Sequence, residues 1–277
     1  MTRFITRIGN ERIGIETDSP VLGEWLRESF DRGFGDDGEE PRLRLNIKGG
    51  FGVPFVDFDV AAEKRGGKVI YTRADYRIEA DEDLRAASVA VQDEFALKHA
   101  LMNVYSAFLI RNGLGLLMHS SCAVQDGRGY LFAGPSGAGK STAALLSRPR
   151  VLLSDEATVI ALPEAGPGDG AESLALAHNS PFRSDSRWDI GEGIPAAPLE
   201  GMYVLRQSEE VRTEPMKAAD ALPIVMSQVF FWTTGAEETR AVMQLCMRFL
   251  ERVPVQELFF QKNDLFWDVI APRKAGV

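Results

Sequence analysis

Residues Gly134 to Ser141 read GPSGAGKS, a full match to G-x-x-x-x-G-K-[ST], and this stretch constrains the chain more than any other. Glycines let a backbone curl until several N–H groups point inward at a phosphate chain. Such a loop has to follow a strand and open a helix. The flanks comply: Gly129 to Ala133, GYLFA, is a short apolar run that suits a buried strand, and Ser141 to Ser147, STAALLS, suits a short helix. The expected cradle is Gly134, Ser136, Gly137, Ala138, Gly139, Lys140, Ser141 and Thr142. Lys140 would reach the outer phosphates, Ser141 would offer a hydroxyl to Mg2+, and the helix dipole would face the same anion.

The next acids sharpen the expectation. Val151-Leu152-Leu153-Ser154 is apolar and ends in Asp155-Glu156, the form of an acidic strand end that holds Mg2+. Asp155 lies only 15 residues after Lys140, room for two turns of helix and a sharp return at Arg148-Pro149-Arg150. Most P-loop nucleotide enzymes space these parts further apart, so a less common family is expected. Taken alone, Asp155 reads first as a helix cap or turn residue after a strand and Glu156 as a solvated charge; beside a P-loop both become site candidates.

The rest of the chain sets bounds. A formal charge of −9, from 40 acids against 31 bases, disfavours nucleic acid and an anionic membrane surface as partners. No apolar run reaches spanning length, and Met1 to Arg7 lacks the core of a signal peptide. Cys122 and Cys246 sit in apolar surroundings and read as reduced core residues. A cytoplasmic location is expected from these features. Residues 1–92 alternate and turn often, with strands expected at Phe4-Ile5, Ile13–Ile15, Leu43–Ile47, Val69–Tyr71 and Tyr76–Ala80. One helix, Val21 to Phe30, interrupts them behind Asp18 or Ser19 as cap and Pro20. The acidic stretch Gly33 to Glu40 reads as a loop. A helix over 93–113 follows, with Phe95, Ala100, Leu101, Val104, Tyr105, Phe108 and Leu109 expected on one core face and His99 partly exposed. Later helices are expected near Ala218–Phe231 and Glu237–Val253. No cluster has zinc spacing.

His119 to Ile160, HSSCAVQDGRGYLFAGPSGAGKSTAALLSRPRVLLSDEATVI, resembles the core of the HPr kinase/phosphorylase family, which shares its nucleotide site with ATP-dependent phosphoenolpyruvate carboxykinase. The order is the family's: a His on one strand, a tight hairpin at Asp126-Gly127, the P-loop, a short helix, then an apolar run closing in two acids. Weaker matches at Ser180–Arg183, Gly201–Leu205 and Val253–Leu258 extend the resemblance over about residues 114 to 270. Two features depart from it. Strict HPr kinases carry Asp-Asp at Asp155-Glu156, and they carry a later Glu-x-Arg-Gly-Leu-Gly signature that Arg187 to Gly193 does not match. The resemblance is therefore to the divergent relatives, serine kinases acting on proteins or on ribosomally made peptides, and not to HPr kinase itself or its phosphorylase reaction.

The expected fold is α/β (α+β overall): a strand-rich N-terminal domain over 1–92, a connecting helix over 93–113, and a phosphoenolpyruvate carboxykinase/HPr kinase-like P-loop domain over 114–277. The expected activity is transfer of the γ-phosphoryl group of ATP, with Mg2+, to a serine hydroxyl of a protein or peptide. Asp155 is the candidate to accept the hydroxyl proton, and Lys140 the candidate to neutralise charge on the β/γ bridge. Ser141 and Glu156 are the candidate Mg2+ ligands. His119, matching the family His, would help orient an acid or a phosphate, and Arg183 would meet the transferring phosphoryl group. Arg187, Trp188, Arg206 and His178 are lesser candidates. A small-molecule kinase and a non-catalytic nucleotide-sensing or peptide-binding module remain open from sequence. The resemblance also points to a homo-oligomer.

Overall fold

In the structure, a computed structural model that describes residues 1–30, 39–164, 174–184 and 194–271, the chain forms two units. One comprises Met1–Leu114 and Phe230–Val242, the other Gly115–Val229 and Met243–Val277. Each has its own sheet, and the mixed α/β character expected from the sequence holds. The stretch 33–40, expected as a loop, falls largely outside the described residues, and Arg187 to Gly193 falls wholly outside them.

The first unit holds β1 (Thr2–Ile8), β2 (Glu11–Thr17), α1 (Pro20–Phe30), β3 (Leu43–Gly49), β4 (Ala61–Arg65), β5 (Lys68–Arg73), β6 (Tyr76–Asp81), β7 (Ala86–Val91) and α2 (Glu94–Arg111). Its seven strands run β1-β2-β3-β7-β6-β5-β4, with β3 parallel to both neighbours. Alternation builds the strands: Leu43, Leu45 and Ile47 turn inward, Arg44 and Asn46 outward. Two strands were not expected from sequence. β7, AASVAV, is mostly alanine and serine, which carry little strand preference, and only Val89 and Val91, fully buried between neighbouring strands, favour the conformation. β4, AAEKR, is an exposed edge strand with no alternation to read.

At α1 the cap is Ser19, whose Oγ accepts from Leu22 N at 3.4 Å. At α2 Asp93 accepts from Ala96 N at 2.9 Å. Gly113, at φ +66°, closes α2: its N–H donates to Ile110 O and Leu114 N donates to Leu109 O, the paired bonds of a Schellman end. The single core face expected of α2 is a misreading. Ala100 to Ser106 is buried without a break, so the helix is covered all round, while Phe95 keeps 37% of its surface exposed. Asn103 and Ser106 disguise this, because each buried polar group has its own partner, Tyr76 OH and Phe230 O; Tyr105, expected in the core, donates to Ile8 O. The fully buried pair Arg73–Asp75, at 2.6 Å, lies over the Tyr76 ring.

The second unit holds β8 (Gly115–Gln125), β9 (Arg128–Ala133), α3 (Lys140–Leu146), β10 (Val151–Ser154), β11 (Ala157–Ala161), β12 (Leu176–His178), β13 (Ala196–Gln207), β14 (Arg212–Pro215) and α4 (Ala218–Gln228). After these come α5 (Ala236–Arg252), which starts in the first unit, then β15 (Val255–Phe260) and α6 (Phe266–Ile270). Two long strands organise it. The first half of β8 pairs with β11 and its second half with β9 and β10. β13 pairs with β12 at its start, then runs parallel to β9 on one side and β15 on the other. The pairings β8-β11-β12-β13-β9-β8 thus close a ring.

An aromatic cluster of Tyr130, Phe132, Tyr203, Phe260, Phe266 and Trp267 packs beside the strand ends, and Ala143 and Ala144 of α3 press onto it. Those small residues let the short helix sit close, which fixes the loop in front of it. On α5, Val242, Leu245, Cys246 and Phe249 are buried at helical spacing, Leu250 is half-buried beside them, and Val253 is buried just past the helix end. Cys122 and Cys246 are buried free thiols, both pushed up to about 12 by burial. Among the described residues no helix is long and apolar enough to cross a membrane.

Candidate functional site

β9 ends at Ala133 and delivers the chain directly into the loop. The loop's curl draws on glycine backbone, most plainly at its two ends. Gly134 sits at φ +146° and Gly139 at φ +111°, backbone that other residues rarely adopt. A Cβ on Gly139 would also lie 2.7 Å from the Phe260 ring. The loop is tied down from three sides. Gln228 Oε1 accepts from Gly134 N at 3.2 Å, Gln207 donates to Gly137 O at 3.1 Å, and Ser121 Oγ donates to Lys140 O at 3.1 Å.

Pro135, Ser136, Gly137 and Ser141 are exposed, Ala138, Gly139 and Thr142 half-buried. The first backbone bond of α3 runs from Ala143 N to Gly139 O at 2.8 Å. The N–H groups of Lys140, Ser141 and Thr142 therefore open the helix without intrahelical acceptors. Lys140 is buried, and its Nζ donates to Gly134 O at 2.7 Å and Pro135 O at 3.2 Å. Burial lowers its pKa from the ordinary lysine value.

The acids follow β10. Asp155 is buried, Glu156 half-buried. Ser184 donates to Asp155 twice: its N to Oδ1 at 3.2 Å and its hydroxyl to Oδ2. The backbone places this turn: Ser120 N donates to Glu156 O at 3.1 Å, and Ser180 N donates to Leu153 O at 2.9 Å. Beneath it, Ser154 and Ser120 hydroxyls meet Thr158 Oγ1 at 2.5 and 2.8 Å, a satisfied buried network. Two consecutive residues of β8, Ser120 and Ser121, thus hold the acidic turn and the first residue of α3.

His119 precedes them on β8, opposite Ala157. Its edge is open to solvent, yet desolvation and then the charge of Lys140 lower its pKa to about 4. The ring is neutral at pH 7. Arg183 is half-buried in the segment that carries Ser184 and donates to Asn179 Oδ1. His119, Lys140, Asp155, Glu156 and Arg183 therefore all belong to elements meeting at the loop end of the second unit. Arg206 does not join them: it forms a 2.9 Å ion pair with Glu257. His178 is buried in β12, with no hydrogen-bond partner for Nε2 among the described residues. His99 lies in the first unit, its Nδ1 2.8 Å from Phe95 O. Arg187 and Trp188 lie outside the described residues. No cluster of three or more His, Cys, Asp or Glu suits a metal among the described residues. Ser121, Ser184, Gln207 and Gln228 had no signal in the sequence: their bonds to the site span 19, 29, 70 and 94 residues.

No curated protein matches this chain. Among solved structures, the Hpr(Ser) kinase/phosphatase from Coxiella burnetii aligns over 52% of this chain and 78% of its own, at 12% identity and a TM-score of 0.27. A likeness at that score carries no weight for the site. The model of the family described as SynChlorMet cassette protein ScmC matches residues 86–272, more than half of the sequence, and the chain belongs to that family.

Proposed function

We propose that the second unit is an ATP- and Mg2+-dependent kinase domain of the carboxykinase-like P-loop kind. It would transfer the γ-phosphoryl group to a serine hydroxyl of a protein or ribosomally made peptide. The observation that carries this reading is the attachment of two parts to neighbouring residues of one strand: Ser121 holds the start of α3 and Ser120 the Asp155-Glu156 turn. Both parts are thus anchored to one strand, an arrangement that suits phosphates on the loop and a reacting hydroxyl at the acidic turn.

The donor set fits the groups implied. The N–H groups of Lys140, Ser141 and Thr142 lack helical acceptors and the Ser141 hydroxyl is exposed; Asp155 and Glu156 supply two carboxylates on the turn whose backbone Ser120 holds. When bound, Mg2+ would neutralise charge on the β- and γ-phosphate oxygens. Lys140 exchanges the carbonyls of Gly134 and Pro135 for phosphate oxygens. Ser141 and Glu156 are the residues to hold the metal. Asp155, kept in place by Ser184, accepts the proton of the attacking serine hydroxyl, which bonds to phosphorus as the β/γ bridge opens and ADP leaves. Neutral His119 has no charge to compete with Lys140 and would orient an acid or a phosphate. Arg183 is the cation next to Ser184 and the candidate to meet the transferring group. Catalysis of this kind rests on positioning and electrostatics.

The test is γ-labelled ATP with Mg2+ and extract of the source cell, comparing wild type with Asp155→Asn. Label on a discrete protein or peptide, present only with wild type, is expected. Label on a metabolite instead would replace the acceptor class. Tight ATP binding with no transfer to anything would make the domain a nucleotide sensor.

A further inference from the structure

β9, β13 and β15 are parallel neighbours, so their carboxyl ends open on one side. A ligand held by a P-loop lies on the side of the sheet where the preceding strand ends. The end of β9 leads into the P-loop. The ends of β13 and β15, at Gln207 and Phe260, lead to the two sides of a cavity of about 270 Å3. Gly139 and Thr142 also line it, so the cavity begins where the loop finishes. We infer that this cavity takes the nucleoside portion of a nucleoside triphosphate, an assignment that rests on the reading of the loop as a phosphate cradle.

Size and chemistry both point that way. Ligand pockets run from about 300 Å3 upward. A cavity of 270 Å3 suits one part of a nucleotide, with the phosphates outside it on the loop. Its lining is mixed, a mostly apolar surface that carries the amides of Gln207 and Gln261, the hydroxyls of Ser208 and Thr142, the Glu209 carboxylate and the Lys262 ammonium. A carboxylate is the usual acceptor for ribose hydroxyls, and amides can pair with the edge of a base. Phe260, buried and pressed against Gly139, supplies the apolar floor.

The walls are held in shape before any ligand arrives. Ser208 N donates to Phe260 O at 3.1 Å, Glu210 N donates to Ser208 Oγ at 3.1 Å, and the Gln261 amide donates to Glu209 O. Gln207 crosses to Gly137 O at 3.1 Å, which locks one wall to the loop itself. A preset cavity loses little on filling, which is how a small site contributes to affinity.

The experiment compares two probes on the full-length chain with Mg2+: ATP and inorganic tripolyphosphate, which shares the phosphates and lacks the nucleoside. Ser208→Tyr fills the cavity from a half-exposed position, and Lys262→Ala removes a charge from an exposed one. The expected result is that wild type binds ATP more tightly than tripolyphosphate. Ser208→Tyr should then weaken ATP by about tenfold or more, about 1.4 kcal/mol, while tripolyphosphate stays unchanged and the circular dichroism spectrum is retained. Lys262→Ala should weaken ATP less. Equal losses for both probes in Ser208→Tyr, no loss for either, or equal binding of the probes by wild type would overturn this inference alone. A higher acceptor KM with unchanged ATP binding would do so too, by giving the cavity to the acceptor. Failure of wild type to bind either probe would remove the kinase reading along with it.

Discussion

The Lys140 ammonium donates to the carbonyl oxygen of Gly134, 2.7 Å away, so the lysine of the loop is folded back on the loop's own first residue. The buried cation is already desolvated, and its lowered pKa records that cost. A phosphate chain offers it stronger, charged acceptors. Lys140→Ala is therefore expected to lower transfer by orders of magnitude, roughly 10³-fold as for lost electrostatic stabilisers elsewhere. Stability should change by only about 1–3 kcal/mol, the cost of unsatisfied carbonyls. Rates with labelled ATP and a urea titration check the two halves. Near-wild-type transfer would sink the assignment of Lys140.

Ser184 holds Asp155 by two donors, one of them backbone. Ser184→Ala removes the hydroxyl and leaves the N–H. A positioning partner of this kind is expected to cost about 10-fold in kcat, set against 10²–10⁴ for the loss of a general base itself. In the Asp155→Asn background, Ser184→Ala should have no further effect on the residual rate. Additive losses would place Ser184 in a role of its own rather than behind Asp155.

What could be read from the chain, and what could not, divides by sequence distance. The GPSGAGKS run, the hairpin at Asp126-Gly127 and the acids at Asp155-Glu156 are each local, and turn chemistry announces them. The ties that hold these parts as a site are not local. Ser121, Gln207 and Gln228 are ordinary polar residues in sequence, and only the pairing of β8, β9 and β13 brings them to the loop. The same reason hid β7. Its alanines and serine carry no strand signal, and its pairing with β3 and β6 decides the conformation instead. For α2 the periodic reading failed because Asn103 and Ser106 look solvated until their buried partners are seen.

Gly139 combines a left-handed backbone, φ +111°, with a Cβ position 2.7 Å from the Phe260 ring. Gly139→Ala has to strain the loop or move an aromatic residue that is only 3% exposed. A loss of about 1–3 kcal/mol in stability is expected, together with weaker nucleotide binding. Phe260→Leu in the same chain should relieve part of both by giving up ring volume. If Gly139→Ala binds tripolyphosphate like wild type, the cradle does not depend on this backbone.

All three histidines have pKa values lowered to about 4, chiefly by desolvation, and His178 is the most buried of them at 5% exposed. In the unfolded chain each titrates near 6.5. Between these values the unfolded state binds protons that the folded state refuses, so acid favours unfolding. Stability is full above pH 6.5, falls as the pH drops toward 4, and levels off below as far as these groups are concerned. His178 alone accounts for on the order of 3 kcal/mol over that window. Its Nε2 has no hydrogen-bond partner among the described residues, so an apolar replacement leaves no orphan behind. His178→Leu is expected to flatten the slope of unfolding free energy against pH by about one proton between pH 6.5 and 4. Its stability near neutrality should hold. Urea titrations at stepped pH measure this directly, and a slope identical to wild type would mean that His178 takes up its proton in the folded chain.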